Sequence, residues 1–481
     1  MITTELLLPS PEERSVLWSE TIAQAESYFR EVGSLPVAPV LDQANLRGVL
    51  DGFSFDEPGS RMDVLQNFTK QLQKHQVHTS HPCYFGLFNP APTFMGILGD
   101  LITATLNPQL AAWSHSPLAV ETERRMIHAF AAKFGFPENA DGCLTSGGAE
   151  ANLTALLCAL TERWPEVLNV GLQAIGAKPV FYASAESHHS FLKAARTAGL
   201  GSGVLRTVPV TDELRMDSDA LRGMIEDDRK QGFEPFLIVG TAGTTGAGVV
   251  DPLSDLRNVA DPLGLWFHVD AAWGGAAVVV PELCEVLSGI ETADSITFDP
   301  HKYLSIPMGA GMFLTRHDDI LSKVFSVNTA YMPKEADRFA VIDPYVHSLQ
   351  WSRRFIGLKL FLTLATTGWN GYAQIVRRQA QMGSLLRKRL ADSGWSVVNR
   401  TQLPVVCFTP SNEKWDMAMH QRASDAVVAS GRAWISTILL GGNKPALRAC
   451  ITNHRTGPED IETLVAVLAD VRDGLRAPKP L

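Results

Sequence analysis

Leu265-Trp266-Phe267-His268-Val269-Asp270-Ala271-Ala272-Trp273-Gly274-Gly275 is the stretch that decides the fold. Its opening run is too continuously apolar for a strand with one wet face and too short for a helix, so it reads as a strand buried on both sides. Asp270 closes that run. A carboxylate at the carboxyl end of a buried parallel strand lies on the ligand edge of the sheet, where burial without a cationic partner is costly. Apolar runs of the same kind, bounded by turn residues, recur at 179–183, 236–241, 295–298 and 311–315 and alternate with helical stretches. The fold class they predict is α/β, with a mostly parallel central sheet covered by helices on both faces.

Outward from this core, residues 11–74 have a polar-faced helical pattern broken by Gly-Ser-Leu-Pro-Val-Ala-Pro (33–39) and Glu57-Pro58-Gly59. Such a segment cannot bury itself alone. Residues 121–134 are helical in period, and Leu153, Leu156, Leu157 and Leu160 share one helix face. Past Trp351 the chain is helical again through 381–390, then strand-like at 395–398 and 405–408, with helices expected at 416–430 and 458–475. The expected division is a helical segment 1–80, a large domain 81–371 and a small C-terminal α/β domain 372–481.

With 45% hydrophobic and 19% charged residues in 481, the chain has material for a large core and lacks the composition of disorder. Its net charge of −9, with no basic block, argues against nucleic acid or an anionic membrane as partner and for a small ligand. The six cysteines show no C-x-x-C spacing and read as reduced thiols. No stretch approaches a membrane span, and the first residues lack a signal-peptide pattern, so the expected location is the cytoplasm.

No G-x-G-x-x-G, Walker or G-x-S-x-G sequence follows a strand. Thr145-Ser146-Gly147-Gly148-Ala149-Glu150 does precede the Leu153 helix, in the form of a phosphate cradle, though alone it equally describes a capped helix start. Asp299-Pro300-His301-Lys302 ends the next apolar run after Asp270, which brings a lysine to the same sheet edge. Cradle, buried carboxylate and lysine together match pyridoxal 5′-phosphate (PLP), which needs its phosphate anchored, its pyridine nitrogen protonated and an amine for its aldehyde. His188 or its rival His189 can stack on the ring. His75, His78 and His81 have neither carboxylate nor cysteine among them and read as a loop or helix stripe, so no metal is expected.

The motifs T-S-G-G-A-E-A-N (145–152), H-H-S-F-L-K-A-A-R (188–196), H-V-D-A-A-W-G-G (268–275) and D-P-H-K-Y (299–303) resemble the group II PLP-dependent amino-acid decarboxylases. That family includes the aromatic-L-amino-acid, histidine, glutamate, cysteine-sulfinate and diaminobutyrate enzymes. The likeness runs from about His81 to His454 and takes in H-P-C-Y-F-G (81–86), S-R-R-F-I-G-L-K (352–359) and L-R-A-C-I-T-N (447–453).

The resemblance implies a fold-type-I PLP enzyme in which Lys302 forms the Schiff base, Asp270 pairs with the pyridinium nitrogen and His188 stacks over the ring. By the same resemblance Ala272 packs on the other face, Thr245 and His301 contact the cofactor, and Gly147, Gly148 and Ala149 hold the phosphate. Phe88, Trp113 and Arg448 fall on the substrate side, with a strand-end ion pair as the competing role for Arg448. Tyr331 matches a loop tyrosine that protonates the substrate carbon; a phenylalanine there goes with relatives that make an aldehyde. A homodimer with shared active sites is implied, the N-terminal segment wrapping the partner.

Two departures qualify the match. Asp299 stands where aromatic decarboxylases carry Asn near the phosphate, and an ionised Asp there is unfavourable unless it turns away or is paired. Ser80 and Ala111 replace two large aromatics of the ring pocket. The expected activity is decarboxylation of an L-amino acid to CO2 and an amine, aromatic first, acidic or diamino next. Its competitors are oxidative aldehyde formation, transamination, carbon–carbon lysis and, from another class, a non-catalytic PLP-binding homologue.

Overall fold

The apolar runs fold as strands because each buries alternate side chains in opposite directions. In the computed structural model, which describes residues 7–327, 339 and 341–476, seven strands build the main sheet. They are β1 (Asp141–Thr145), β2 (Lys178–Ser184), β3 (Leu205–Val208), β4 (Phe233–Thr241), β5 (Trp266–Asp270), β6 (Ser295–Phe298) and β7 (Gly311–Thr315). Their order is β1-β7-β6-β5-β4-β2-β3. The pairings from β6 through β3 are parallel, and β7 runs antiparallel between β1 and β6.

Both faces are covered. Tyr182, Ile238 and Phe267 join Phe130, Phe134 and Phe298 in one core, while their neighbours Phe181, Leu237 and Trp266 join Leu156, Phe191 and Phe236 in another. The second core is closed by the helices Gly148–Arg163 and Ser190–Thr197. This is the expected α/β architecture.

A second, antiparallel sheet has the order β10-β11-β9-β8, from β8 (Trp395–Val397), β9 (Val405–Pro410), β10 (Ser436–Leu440) and β11 (Lys444–Cys450). The helices Met417–Ala429 and Pro458–Arg476 pack on it through Val427, Leu464 and Leu468. Cys83, Tyr84 and Phe85 belong to this same core, and Phe85 exchanges backbone hydrogen bonds with Trp434 and Cys450. The helical segment Gly357–Asp392 joins the two parts and breaks at Gly368, whose φ of 65° is left-handed.

The helices Pro11–Glu31, Gln43–Asp51 and Arg61–Lys74 bury none of their residues. They leave Val16, Trp18, Ile22, Phe68 and Leu72 open to solvent. Among the described residues, no helix is long and apolar enough to cross a membrane.

Candidate active site

The carboxyl ends of β1, β5 and β6 lie on one edge of the sheet, and the loops leaving them carry Gly147, Asp270 and Lys302. Gly148 begins its helix with no room for a side chain: a Cβ would stand 2.8 Å from Asp299 Oδ2 and 3.4 Å from the Ala272 methyl. At Gly311 it would stand 2.8 Å from Asp299 Oδ1, and at Gly147 3.3 Å from His301 Cε1. Ser146 is tied back by its N–H and hydroxyl to Glu150 Oε2, at 2.9 and 2.7 Å. The first-turn N–H groups of Gly148 and Ala149 have no intrahelical acceptor. Small residues at a helix N-terminus, packed too closely for a Cβ at Gly148 or Gly311, let a phosphate group approach the backbone N–H groups.

Beside it, Lys302 Nζ is 2.9 Å from Asp299 Oδ2. Asp299 is thus paired, which answers the objection to a carboxylate at this place, but only through one oxygen. Oδ1 is buried without a hydrogen-bond partner. His301 Nδ1 donates to Ala310 O at 2.7 Å, and burial lowers its pKa. Asp299→Asn removes a negative charge from the cradle and frees Lys302, so the variant is expected to bind PLP about tenfold tighter, one pKa unit's worth of free energy. A spectroscopic titration of cofactor-free protein measures it; unchanged or weaker binding means that Asp299 does not act on the phosphate.

Asp270 is 5% exposed, and its Oδ1 accepts the Ala272 N–H at 3.1 Å. Its Oδ2 accepts from Asn152 Nδ2 at 2.9 Å. Asn152 in turn meets His268 and Thr297, two residues of β5 and β6. Full burial pushes His268 down to about 4. An unfolded histidine takes up its proton near pH 6.5, so the stability held by neutral His268 is present above that pH and is lost as pH falls towards 4, about 3 kcal/mol in all. Urea unfolding at stepwise lower pH tests this; His268→Asn is expected to flatten the slope, and an unaltered slope refutes the assignment.

His188 stands open to solvent at the mouth, its Nδ1 accepting the Ser190 N–H at 3.2 Å. Desolvation lowers its pKa, against the opposing pull of Asp270, while Lys302 pushes the same way. Thr245 lies on the loop after β4, and its carbonyl accepts from Arg448 Nε at 2.9 Å.

Arg448, only 3% exposed, also donates through Nη1 to Gly86 O at 2.9 Å, while Nη2 is buried without a partner. Among the described residues no carboxylate pairs with it. Its guanidinium lies 5.0 Å from the Phe88 ring centre, and Phe88 stacks at 4.5 Å on Trp273. Phe88 is buried between these partners and the core, which leaves little of it for a substrate. Trp113 sits apart: it packs with Leu110, Ala119, Val120 and Phe355, and its N–H groups go to Asp343 Oδ1 and Glu121 Oε1. Among the described residues no contact brings it to the Lys302 corner. Tyr331 lies outside the described residues. In the histidine triplet, His78 Nδ1 meets the Tyr28 hydroxyl at 3.1 Å, and His81 Nδ1 accepts the Cys83 N–H at 2.9 Å.

Residues 45–410 match the model of the pyridoxal-dependent decarboxylase conserved domain. The chain belongs to the pyridoxal-dependent decarboxylase family. An aromatic-L-amino-acid decarboxylase of Bacillus atrophaeus is 29% identical over 95% of both chains. An L-aspartate decarboxylase of Metarhizium robertsii is 30% identical over 73% of this chain and 71% of its own. The crystal structure of mouse CSAD superposes with a TM-score of 0.90 at 25% identity, covering 96% of this chain and 99% of the other.

The cofactor of this decarboxylase is PLP, its substrate an amino acid and its reaction the loss of a carboxylate as CO2. The cradle, Asp270 and Lys302 fit that cofactor at three separated points. Asn152, Ser190, Thr297 and His268 escaped the sequence reading. Asn152 and His268 stand inside the quoted motifs, yet nothing in their spacing says that they meet.

Proposed function

We propose that this decarboxylase acts on an aromatic L-amino acid, as a homodimer in the cytoplasm. The observation that carries the substrate reading is Arg448, a buried cation whose Nη2 has no hydrogen-bond partner and which no carboxylate meets among the described residues. It can take one carboxylate. An acidic substrate brings two, and the Metarhizium relative keeps that reading in view. The Bacillus relative, similar over nearly the whole chain, supports the aromatic one. Incubation with aromatic, acidic and diamino acids while recording CO2 and amine decides between them; release from aspartate or cysteine sulfinate alone would overturn the aromatic reading.

When bound, PLP supplies an electron sink for the bond to the departing carboxylate. In this reading Gly147, Gly148 and Ala149 hold its phosphate and Lys302 its aldehyde carbon. Asp270 keeps the proton on its ring nitrogen, His188 and Ala272 cover its two faces, and Thr245 and His301 flank it. Arg448 orients the substrate, with Phe88 beside it. Tyr331 delivers the proton to Cα after CO2 leaves. Tyr331→Phe keeps the aromatic ring but removes the acid, so amine formation falls and aldehyde, ammonia and peroxide appear. An oxygen electrode beside an amine assay reads the change; amine at the normal rate reduces Tyr331 to packing, and oxygen use by the wild type favours the aldehyde-forming alternative.

The dimer reading rests on the uncovered apolar residues of the N-terminal helices and on Phe94, Leu101, Ile102 and Leu106 of the Phe94–Leu106 helix. Light scattering tests it, and a monomer that turns over substrate refutes shared sites. The cytoplasmic placement accords with six free cysteines, five of them buried.

A further inference from the structure

We infer that Asn152 is a positioning residue for Asp270, at the end of a one-directional hydrogen-bond chain that starts at Trp266. The inference rests on the reading of Asp270 as partner of the cofactor's ring nitrogen. Asn152 lies one turn into the Gly148–Arg163 helix and is 1% exposed. All its hydrogen-bonding positions are used. Nδ2 donates to Asp270 Oδ2 and to Ser190 Oγ, each at 2.9 Å. Oδ1 accepts from Thr297 Oγ1 at 2.7 Å and lies 3.2 Å from His268 Nε2. Turning the amide over would set its oxygen against the Asp270 carboxylate and its NH2 against the donors of Thr297 and His268. Only one orientation is possible.

That orientation fixes every partner behind it. An amide oxygen only accepts, so His268 carries its proton on Nε2. The ring is neutral, since burial holds its pKa near 4, and Nδ1 is therefore a lone pair. Ser295 Oγ stands 2.8 Å from Nδ1 and donates to it, while Trp266 Nε1, which can only donate, reaches Ser295 Oγ at 2.9 Å. Thr297 Oγ1, 3.3 Å from His268 Nε2, can accept there while donating to Asn152. The donors run Trp266, Ser295, His268, Asn152 and end on Asp270. Aligned bonds of this kind strengthen one another, and the chain ends on Oδ2, which it holds in place.

An asparagine that merely filled a core position would need a satisfied amide and nothing more. Here it ties a helix to β5 and β6 and ends on the one carboxylate that the site uses. The other charged or titratable groups at this corner are His188 and His189 from the loop after β2, Lys302 and Asp299 from the loop after β6, and His268 on Asp270's own strand.

The test compares holoenzyme carrying Asn152→Ala, Asn152→Asp or Asp270→Asn with wild type. It reads kcat, KM and the pH profile of the bound cofactor's visible absorption. Asn152→Ala is expected to keep the cofactor on Lys302, to lose about tenfold in kcat or somewhat more with KM nearly unchanged, and to shift the absorption profile, the loss being that of one hydrogen bond to a charged group. Asn152→Asp, equal in shape, sets a second carboxyl against Asp270 and is expected to shift the profile further. Wild-type kcat and profile in both Asn152 variants overturn the relay, while a loss in Asp270→Asn alone leaves the reading of Asp270 standing. If Asp270→Asn is itself silent, that reading falls and takes the relay with it. Should the Asn152 variants fail to fold, 15N-histidine NMR of the wild type decides. A His268 proton on Nε2 across the neutral pH range is expected, and a proton on Nδ1, or titration of the ring near its ordinary value, reverses the chain and overturns it.

Discussion

Lys302→Ala is expected to lose turnover by about 10⁴-fold or more and to hold no cofactor covalently, the magnitude lying at the top of what one acid–base group contributes because this residue also carries the covalent link. Among the described residues the amine has no substitute. Lys359 Nζ donates to Met308 O at 2.8 Å and sits 3.4 Å from Asp100 Oδ2, packed between loop and helix. Lys193 lies on the exposed side of the Ser190–Thr197 helix. Among the described lysines Lys302 stands beside the cradle, a quarter exposed, its charge compensated by Asp299. Borohydride reduction followed by peptide mass mapping is expected to find the cofactor on the Lys302 peptide of the wild type and on no peptide of the variant. Cofactor on Lys193 or Lys359 would sink the assignment.

What the sequence discloses follows from what each residue must do alone. Asp270 and Lys302 end apolar runs, and a charge at the end of a run buried on both faces announces a ligand edge before any contact is known. β5 and β6 are legible for the same reason, since all their residues are buried. β1 is not: Asp-Gly-Cys-Leu-Thr is short and holds a glycine, and it becomes a strand only because β7 pairs with it along its whole length. β10 is half-exposed and borrows its order from β11.

Arg448 marks the limit at the site. Its acceptors are the carbonyls of Gly86 and Thr245, which belong to loops far away in sequence. A reading by residue type looks for a carboxylate, and backbone acceptors leave no trace in composition. Asp299 fails to be read for a related reason: its partner Lys302 lies one helical turn on, yet the chain there is a tight turn rather than a helix, and the pairing depends on how that turn is folded. Asn152 depends on a helix crossing two strands, which no local pattern encodes.

Asp270→Asn is expected to retain PLP and lose at least about 100-fold in kcat, some 2.7 kcal/mol of barrier at 1.36 kcal/mol per tenfold. Retention follows because the phosphate cradle and Lys302 do not depend on this carboxylate; the glycines that shape the cradle meet Asp299, Ala272 and His301 instead. The rate loss follows because an amide cannot hold a proton on the ring nitrogen as a carboxylate does, and an unprotonated ring withdraws electrons less strongly from the breaking bond. The substitution also disturbs its support. Asn152 presents an N–H to Oδ2 and the Ala272 N–H faces Oδ1, so one of the two now meets an NH2 group. Among the described residues the other carboxylate at this corner, Asp299, is engaged with Lys302. The measurement is kcat beside the cofactor content of the purified variant. Near wild-type turnover at full occupancy would mean that the ring nitrogen is served by another group, and the carboxylate at the end of β5 would then be a structural anchor for the Gly148–Arg163 helix.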